Sequence, residues 1–377
     1  MRKIQMVDLK GQYDGIKDQV NSSFQEVIEN AAFINGPEVQ QFQKDLEEYL
    51  QVKHVIPCAN GTDALQIAMM GLDLKPGDEV ITADFTFAAT VEVIALLQLT
   101  PVLVDVEPDS FNIDPEAIKK AITPKTKAIV PVHLFGQAAN MDAIMEIAKE
   151  HNLYVIEDNA QAIGGNYHFK NGETQKTGAI GHIGATSFFP SKNLGCYGDG
   201  GAIFTNDDDL AHTIRGIVNH GMYERYHHDV VGVNSRLDSL QAAVLRAKLP
   251  KLDSYNEARR KSAKQYSEAF KGQEDIITPV LLDKEDTHVY HQYTLKIKNG
   301  KRDALAKHLQ KKGIPFGIYY PIPLHKQKAY TDSRYNEADF PVTNQLVEEV
   351  LSLPMHTELD DEQIEYITAT IKDFLNT

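Results

Sequence analysis

One lysine of this 377-residue chain lies where a charged amine is costly to keep. Lys192 follows the apolar run 183–189 and precedes a glycine-rich stretch that leads into a second apolar run, 200–205. Both runs are typical of short buried strands, so Lys192 is expected on a connection close to the core. Burial lowers the pKa of an ammonium and makes its amine nucleophilic, which is the chemistry that a Schiff base needs. A solvated lysine on a glycine-rich turn is the alternative.

A carboxylate is expected at the end of another buried strand. Asp158 follows the apolar residues Val155 and Ile156, and Gln161 comes one turn later. The carboxylate could pair with a cationic ring nitrogen and hold it protonated, and the amide could reach a ring oxygen. The alternatives are a helix N-cap for Asp158 and a solvated position for Gln161.

Two turns before predicted helices could hold anions. Gly61 and Thr62 follow a strand and open a helix, where free backbone amides attract negative charge. Asn234 and Arg236 precede a second helix and could hold phosphates. A plain N-cap or an Asn-Gly turn is the alternative for the first turn, and capping by Asn234 or Ser235 is the alternative for the second.

Aromatic side chains follow two further strands. Phe87 ends the sequence Asp84-Phe85-Thr86-Phe87 after one strand, and an aromatic ring at that position can stack on a planar cofactor. Tyr319 and Tyr320 are adjacent and offer hydroxyls and flat faces. Core packing is the alternative for Phe87, and cover of a domain seam is the alternative for the tyrosines.

The sequence does not show the motifs of three other kinds of functional site. His220, His227 and His228 lack tight spacing with a carboxylate, and the chain has no CxxC pair, so no metal is predicted. There is no G-x-S-x-G sequence for a serine nucleophile. No G-x-G-x-x-G follows the first strand, which disfavours a nucleotide-binding oxidoreductase.

Short apolar strands alternate with helices through the first two thirds of the chain. This order predicts an α/β fold in three layers, with a mostly parallel sheet covered by helices on both faces and ligands at the carboxyl ends of the strands. Strands are predicted at 54–57, 79–82, 101–105, 127–132 and 153–157, and helices at 13–30, 38–50, 62–72, 87–97, 114–121 and 141–151.

The pattern of predicted helices and strands changes beyond residue 251. Helices are predicted at 253–270, 303–312 and 362–375, with strands at 290–298 and 316–319. We therefore expect a large domain over residues 1–250, with an N-terminal arm at 1–36, and a smaller α+β domain over residues 251–377.

The overall composition is that of an ordinary globular protein. Hydrophobic residues make up 42% and charged residues 24%, and the net charge of −15 disfavours nucleic acid and anionic membranes as partners. No apolar run approaches the roughly 20 residues of a membrane span, the N-terminus lacks a signal peptide, and two cysteines are too few for a disulfide framework. A cytoplasmic protein is expected.

With these groups in view, the chain resembles the DegT/DnrJ-type sugar aminotransferases, which are fold-type I pyridoxal-phosphate enzymes acting on nucleotide-linked keto-sugars. The resemblance runs from Val7 to His356 and is most specific at 60–65, 156–162, 187–201 and 232–240. It implies an aspartate aminotransferase-like fold, bound pyridoxal 5'-phosphate and a homodimer with shared active sites.

The resemblance also implies a role for each site residue. Lys192 would be the Schiff-base lysine, and Asp158 would hold the pyridinium nitrogen. The other implied cofactor contacts are Gln161 to the ring hydroxyl, Phe87 stacked on the ring, and Gly61, Thr62, Ser187 and Asn234 of the partner subunit at the phosphate. The implied substrate contacts are Phe33, Ser191, Tyr319, Tyr320 and Arg236 of the partner subunit.

Details of the motifs bear on the substrate. Relatives that read hexuronic acids often carry His-Tyr where this chain has Tyr319-Tyr320, and Tyr where it has Phe33. The Phe-Phe-Pro-Ser-Lys-Asn-Leu-Gly pattern around Lys192 resembles the branch that aminates C3 of the sugar rather than C4. The implied reaction is a ping-pong transamination with glutamate as amino donor. C4 amination and a catalytically silent, cofactor-binding regulator are the alternatives.

Overall fold

The computed structural model describes residues 2–376. The helices are α1 (Leu9–Asp14), α2 (Lys17–Glu29), α3 (Pro37–Leu50), α4 (Gly61–Gly71), α5 (Ala89–Leu96), α6 (Pro115–Ala121), α7 (Met141–His151), α8 (Asp208–Ile217), α9 (Ser239–Lys248), α10 (Leu252–Ala269), α11 (Arg302–Lys311), α12 (Pro341–Glu349) and α13 (Asp361–Leu375). The strands are β1 (His54–Cys58), β2 (Glu79–Ala83), β3 (Thr100–Val104), β4 (Thr126–Val130), β5 (Tyr154–Asp158), β6 (Asn166–His168), β7 (Thr174–Lys176), β8 (Ile183–Ser187), β9 (Gly201–Thr205), β10 (Met222–Glu224), β11 (His227–His228), β12 (Ile276–Ile277), β13 (Tyr293–Ile297) and β14 (Val350–Leu353).

A seven-stranded sheet of order β1-β9-β8-β5-β4-β2-β3 forms the centre of the molecule. Strand β9 pairs antiparallel with both β1 and β8, whereas β8, β5, β4, β2 and β3 pair in parallel. Six strands therefore run in one direction, which confirms the predicted mostly parallel sheet. Their carboxyl ends share one edge.

Consecutive strand residues face opposite sides of this sheet, and both sides are buried. Ile81 and Val155 belong to a core cluster that also contains helix residues from α6 and α7. Their neighbours Val80 and Ile156 belong to a second cluster, which includes Leu65 and other residues of α4, together with residues of α8. Because alternate side chains of a strand point to opposite faces, two buried clusters mean helices on both faces, as the α/β reading requires.

A smaller antiparallel sheet, β12-β13-β14, lies in the C-terminal part of the chain. Leu295 of β13 packs with Tyr266, Leu309 and Ile367 from helices α10, α11 and α13. Ile4, near the start of the chain, is buried in the same cluster. We keep the division into two domains near residue 250 as a proposal, with this cluster as the core of the smaller one.

Two predicted elements differ from the structure. The helix expected at 13–30 is two helices, because α1 ends at Asp14 and α2 begins at Lys17 after Gly15. The prediction of a strand at 316–319 is wrong. Gly317 forms only an isolated bridge with Ser352, and the chain then enters the cavity described below. None of the helices formed by residues 2–376 is both long and apolar enough to cross a bilayer.

Candidate active site

A cavity of about 920 Å³ opens at the carboxyl ends of the parallel strands. Residues that follow β1, β2, β4, β5 and β8 line it, together with residues 318–321 of the C-terminal part. Ten of the predicted site residues meet here: Gly61, Thr62, Phe87, Asp158, Gln161, Ser187, Ser191, Lys192, Tyr319 and Tyr320.

Lys192 lies on the connection between β8 and β9, as predicted. Its amide donates a hydrogen bond to the Phe189 carbonyl (2.8 Å), so the backbone turns tightly at this point. The next residue, Asn193, is buried and donates to Asn256 Oδ1 (2.7 Å) and to the Val289 carbonyl (2.9 Å). Burial lowers the pKa of the Lys192 amine to about 8, against the attraction of Asp158, which raises it. A large share of this amine is therefore neutral near pH 8.

Asp158 ends β5 inside the cavity and is buried. Its Oδ2 accepts a hydrogen bond from the Thr90 hydroxyl (2.8 Å), and its Oδ1 accepts from the Ala160 amide (3.1 Å). Burial raises the pKa of this carboxyl, while these two hydrogen bonds and Lys192 lower it. A ligand cation placed beside Asp158 would favour the ionised form further. The alternative of a helix N-cap is wrong for Asp158, because no helix begins at this point.

Glu157, the residue before Asp158, is also buried, and its carboxylate is held by several hydrogen bonds. Glu157 accepts hydrogen bonds from the amides of Gly178 (2.8 Å) and Ile180 (2.7 Å) and from His133 Nε2 (2.8 Å). The Ala139 amide donates to His133 Nδ1 (3.1 Å), which assigns the ring proton to Nε2. These contacts fix the end of β5, so the next side chain enters the cavity in one orientation.

The first predicted anion seat has the required local structure. Asn60 caps α4, and its side chain accepts a hydrogen bond from the Asp63 amide (2.8 Å). The capping alternative is thus correct, and it leaves the amides of Gly61 and Thr62 before the first helical bond. A Cβ added to Gly61 would lie 2.7 Å from the Ser187 Cβ, so the helix end and the end of β8 are in close contact. Two amides and the Ser187 hydroxyl therefore face one end of the cavity.

Aromatic and amide groups form another part of the cavity lining. Gln161 accepts from the Phe135 amide (2.7 Å) and donates through Nε2 to the Tyr320 hydroxyl (3.2 Å). The Phe87 ring lies 6.2 Å from the Tyr320 ring, centroid to centroid, and Phe87 is 56% exposed. Core packing is therefore the wrong interpretation for Phe87, although it is correct for the neighbouring Phe85.

Sequence reasoning missed a histidine on the wall nearest the small sheet. His291 is buried and lines the cavity, and within residues 2–376 its Nδ1 has no hydrogen-bond partner. Burial holds its pKa well below the usual range, and the charges of Lys192 and Arg259 act in the same direction, so the ring is neutral. The residue falls inside the strand predicted at 290–298, and that pattern gave no signal of a site, because the approach of His291 to the cavity and to the charge of Lys192 depends on tertiary packing.

Three of the predicted site residues lie outside the cavity of their own chain. Phe33 is 44% exposed, Asn234 is exposed and Arg236 is half-buried, and none of them lines the cavity. The Asn234 region forms an isolated bridge with Asn219. The resemblance assigns two of the three, Asn234 and Arg236, to a neighbouring subunit.

The capping alternative for the second turn is wrong. Helix α9 begins at Ser239, and Asp238 occupies the N-cap position without a side-chain hydrogen bond. The Ser235 hydroxyl instead accepts from the Ala59 amide (3.1 Å), which ties this turn to the end of β1.

The cavity fits the cofactor that the resemblance implies. Lys192 offers an amine for the aldehyde of pyridoxal phosphate, and Asp158 offers a carboxylate for the ring nitrogen. Gly61, Thr62 and Ser187 offer donors for the phosphate. The cavity volume lies toward the upper end of the roughly 300–1,000 Å³ usual for ligand sites, which leaves room for a second ligand beside the cofactor.

This chain is similar to known proteins over nearly its whole length. Residues 14–372 match the model of the DegT/DnrJ/EryC1/StrS aminotransferase family. Over 371 residues the chain is 47% identical to a UDP-2-acetamido-2-deoxy-3-oxo-D-glucuronate aminotransferase of Pseudomonas aeruginosa, with 98% of this chain and 99% of the relative covered. It is 44% identical to a UDP-N-acetyl-3-dehydro-alpha-D-glucosamine 3-aminotransferase of Acidithiobacillus ferrooxidans, with 99% and 98% covered.

Two further matches extend the comparison. A pleiotropic regulatory protein of Geobacillus stearothermophilus is 46% identical, with 98% of each chain covered. The crystal structure of S. venezuelae DesV in complex with a ketimine intermediate superposes with a TM-score of 0.95 at 36% identity and covers 100% of both chains.

Proposed function

Because the chain belongs to the DegT/DnrJ/EryC1/StrS aminotransferase family, we propose that it transfers an amino group from glutamate to C3 of a nucleotide-linked keto-sugar. The transaminase class, the pyridoxal-phosphate cofactor and a nucleotide-linked sugar as substrate follow from the family and the relatives. The donor, the carbon and the sugar are the proposed parts.

One observation carries the proposal: Asp158, at the end of β5, and Lys192, on the connection that follows the neighbouring strand β8, line the same cavity. When bound, pyridoxal phosphate supplies an aldehyde that carries the amino group and a ring that takes up electrons from the donor's α-carbon. The Asp158 carboxylate holds the ring nitrogen protonated. The Lys192 amine takes the proton from the α-carbon and later returns one, as a general base and then a general acid. Its pKa of about 8 suits both roles near neutral pH.

The names of two relatives support C3. One acts on a 3-oxo sugar acid and the other is a 3-aminotransferase of a 3-dehydro sugar, and both are linked to UDP. The cavity also offers the hydroxyl groups of Tyr319, Tyr320 and Ser191 to a sugar. C4 amination is the alternative outcome of the test below.

A shared active site in a homodimer is the second part of the proposal. Asn234 and Arg236 lie outside the cavity of their own chain, so each is free to reach the cavity of a partner. Large apolar side chains of the N-terminal region are exposed, including Ile28 (52%), Phe33 (44%) and Ile34 (50%). Apolar residues exposed in this way are typical of a surface covered by another chain.

Mixing two inactive variants tests the shared site. Lys192→Ala and Arg236→Ala dimers should each be inactive, whereas the mixed dimer contains one site with both residues intact. An equimolar, re-equilibrated mixture should therefore recover about a quarter of wild-type activity, because half of the dimers are mixed and each has one complete site. No recovery, with mixed dimers shown by mass spectrometry, contradicts the shared site.

A regulator is the second candidate, since one relative is named a pleiotropic regulatory protein. The intact amine and carboxylate favour the enzyme. The deciding experiment incubates the cofactor-loaded protein with glutamate and dTDP-, UDP- or GDP-linked keto-sugars, and reads the product mass and the position of the new amine by NMR. No turnover of any sugar, with cofactor bound, would favour the regulator. We also propose that the reaction serves glycan or surface polysaccharide synthesis in the cytoplasm.

A further inference from the structure

We propose that Asp84 and His325 form a clamp that positions Tyr319 and Tyr320 for the keto-sugar. The inference deepens the proposed function and rests on it. Neither clamp residue lines the cavity, so they act through the tyrosines rather than by touching the ligands.

The clamp consists of three hydrogen bonds that join residue 84 to residues 324 and 325. Asp84 Oδ1 accepts from the His325 amide (2.7 Å), and Oδ2 accepts from His325 Nδ1 (2.6 Å). The Asp84 carbonyl also accepts from the Leu324 amide (3.2 Å). Asp84 directly follows β2 and is buried, and His325 is buried with it.

The clamp closes one end of a segment that we call the strap, residues 317–325. At the other end, Gly317 and Ser352 of β14 exchange two backbone hydrogen bonds, of 3.0 and 2.7 Å. Between these anchors Tyr319 and Tyr320 enter the cavity, and Tyr320 accepts from Gln161. The strap therefore crosses from the small sheet to the edge of the large one, with the two tyrosines at its middle.

The strap has few backbone donors of its own near the clamp. Pro321 and Pro323 lack an amide hydrogen, so Ile322 is the one amide donor between Tyr320 and Leu324. Backbone hydrogen bonding therefore contributes little between Tyr320 and Leu324. The Asp84 carboxylate adds two contacts to His325 at the end of this stretch.

His325 is held from a second side. Its ring stacks on the buried Phe340, with centroids 4.4 Å apart and planes 11° apart. Leu324 and Phe340 belong to a small apolar cluster with Val91 of α5 and Leu103 of β3. The ring is therefore oriented so that Nδ1 meets the Asp84 carboxylate, and a change at either partner leaves a buried polar group unpaired.

Asp84 also connects the clamp to the cofactor side of the cavity. Phe85, the next residue, makes an edge contact with the Tyr320 ring at 6.0 Å. Thr86 and Phe87 then line the cavity. The end of β2 thus positions both the Phe87 ring, which would stack on the cofactor, and the strap, which would face the sugar. The distance between the Phe87 ring and the strap is fixed as a result.

The test compares His325→Leu with His325→Asn in the cofactor-loaded enzyme. Leucine removes the donor, whereas asparagine keeps an N–H group near the place of Nδ1. For His325→Leu we expect the KM for the keto-sugar to rise about tenfold or more, because a small misplacement of binding groups is costly. Conversion of the cofactor by glutamate alone, followed by absorbance without sugar, should stay within about twofold. Hydrogen exchange of the strap amides should speed up, and His325→Asn should restore most of each change.

A wild-type KM for His325→Leu, or an equal loss in the glutamate half-reaction, overturns the clamp. If His325→Leu does not fold, Asp84→Asn keeps the side-chain shape and weakens the same contacts, and the same measurements decide. A wild-type enzyme that turns over no keto-sugar refutes the proposed function instead. In that case the exchange of the strap amides in the two histidine variants still decides whether the clamp exists.

Discussion

Thr90→Val removes a single hydrogen bond from the carboxylate at the centre of the site. Thr90 lies in the first turn of α5, is fully buried, and donates to Asp158 Oδ2 at 2.8 Å. Valine has nearly the same shape but no donor. A hydrogen bond to a charged group contributes about 1.5–3 kcal/mol. Since 1.36 kcal/mol corresponds to a tenfold change in an equilibrium constant, its loss should disfavour the ionised carboxylate about tenfold or more and raise the pKa of Asp158.

The expected consequence is weaker binding of the cofactor. A carboxyl that is less readily ionised holds a protonated ring nitrogen less firmly, so the Kd for pyridoxal phosphate should rise about tenfold or more. The loss should grow as the pH falls, because protonation of Asp158 then competes with the ring. Titration of the apoprotein with pyridoxal phosphate between pH 6 and 8.5, followed by absorbance, measures both effects.

Two variants separate this effect from general damage. Thr90→Ser keeps the hydroxyl and should bind nearly as well as the wild type. Thr82→Val removes another buried threonine donor, which bonds to the Val130 carbonyl at 2.8 Å outside the cavity, and should leave the affinity unchanged. Wild-type affinity and pH dependence in Thr90→Val would refute the reasoning.

Four further predictions concern neighbouring groups. Lys192→Ala should abolish transamination and shift the melting temperature by only a few degrees, because a half-buried amine contributes little to folding. In the apoprotein, modification of Lys192 by trinitrobenzenesulfonate should rise with pH to a midpoint near 8, because the neutral amine reacts and burial lowers its pKa. Gly61→Ala should weaken cofactor binding at least tenfold, since the added Cβ would lie 2.7 Å from Ser187 and displace the phosphate seat. Glu157→Gln should lower the free energy of unfolding in urea by about 2–4 kcal/mol, because an amide cannot accept all the hydrogen bonds that this buried carboxylate accepts.

Each of these has a contradicting result. Turnover by Lys192→Ala at the wild-type rate would show that another group moves the proton. A modification midpoint near the ordinary lysine value would mean that the amine is solvated. Wild-type cofactor affinity in Gly61→Ala would mean that the phosphate binds elsewhere. Gly15→Ala serves as the control, because an added Cβ there meets only the Gln12 carbonyl at 3.5 Å. Glu157→Gln with unchanged stability would mean that the amide satisfies the same donors.

Most of the cavity could be predicted because strand ends are readable in a sequence. Lys192, Asp158, Gly61 and Phe87 each follow an apolar run, and carboxyl ends of parallel strands meet at one edge. No contact between them had to be known in advance. The local sequence fixes the strand, and the direction of the sheet then brings the ends together.

The supporting groups could not be predicted in this way. Thr90 and Asp158 are separated by 68 residues, and Asp84 and His325 by 241 residues. Their proximity depends on how α5 and the strap pack, and no local pattern encodes that packing. His291 was missed for the same reason. Single-sequence patterns thus identify groups at strand ends, whereas the groups that orient them emerge only from tertiary contacts.

The most direct test of the account is reduction of the pyridoxal-phosphate-loaded protein with borohydride, followed by peptide mapping. One pyridoxyl group is expected, on Lys192. Lys248 is an internal comparison, because burial also lowers the pKa of its amine to about 8, but it donates to the Gly195 carbonyl (2.7 Å) and does not line the cavity. A label on Lys248 or another lysine, or no label at all, would contradict the account.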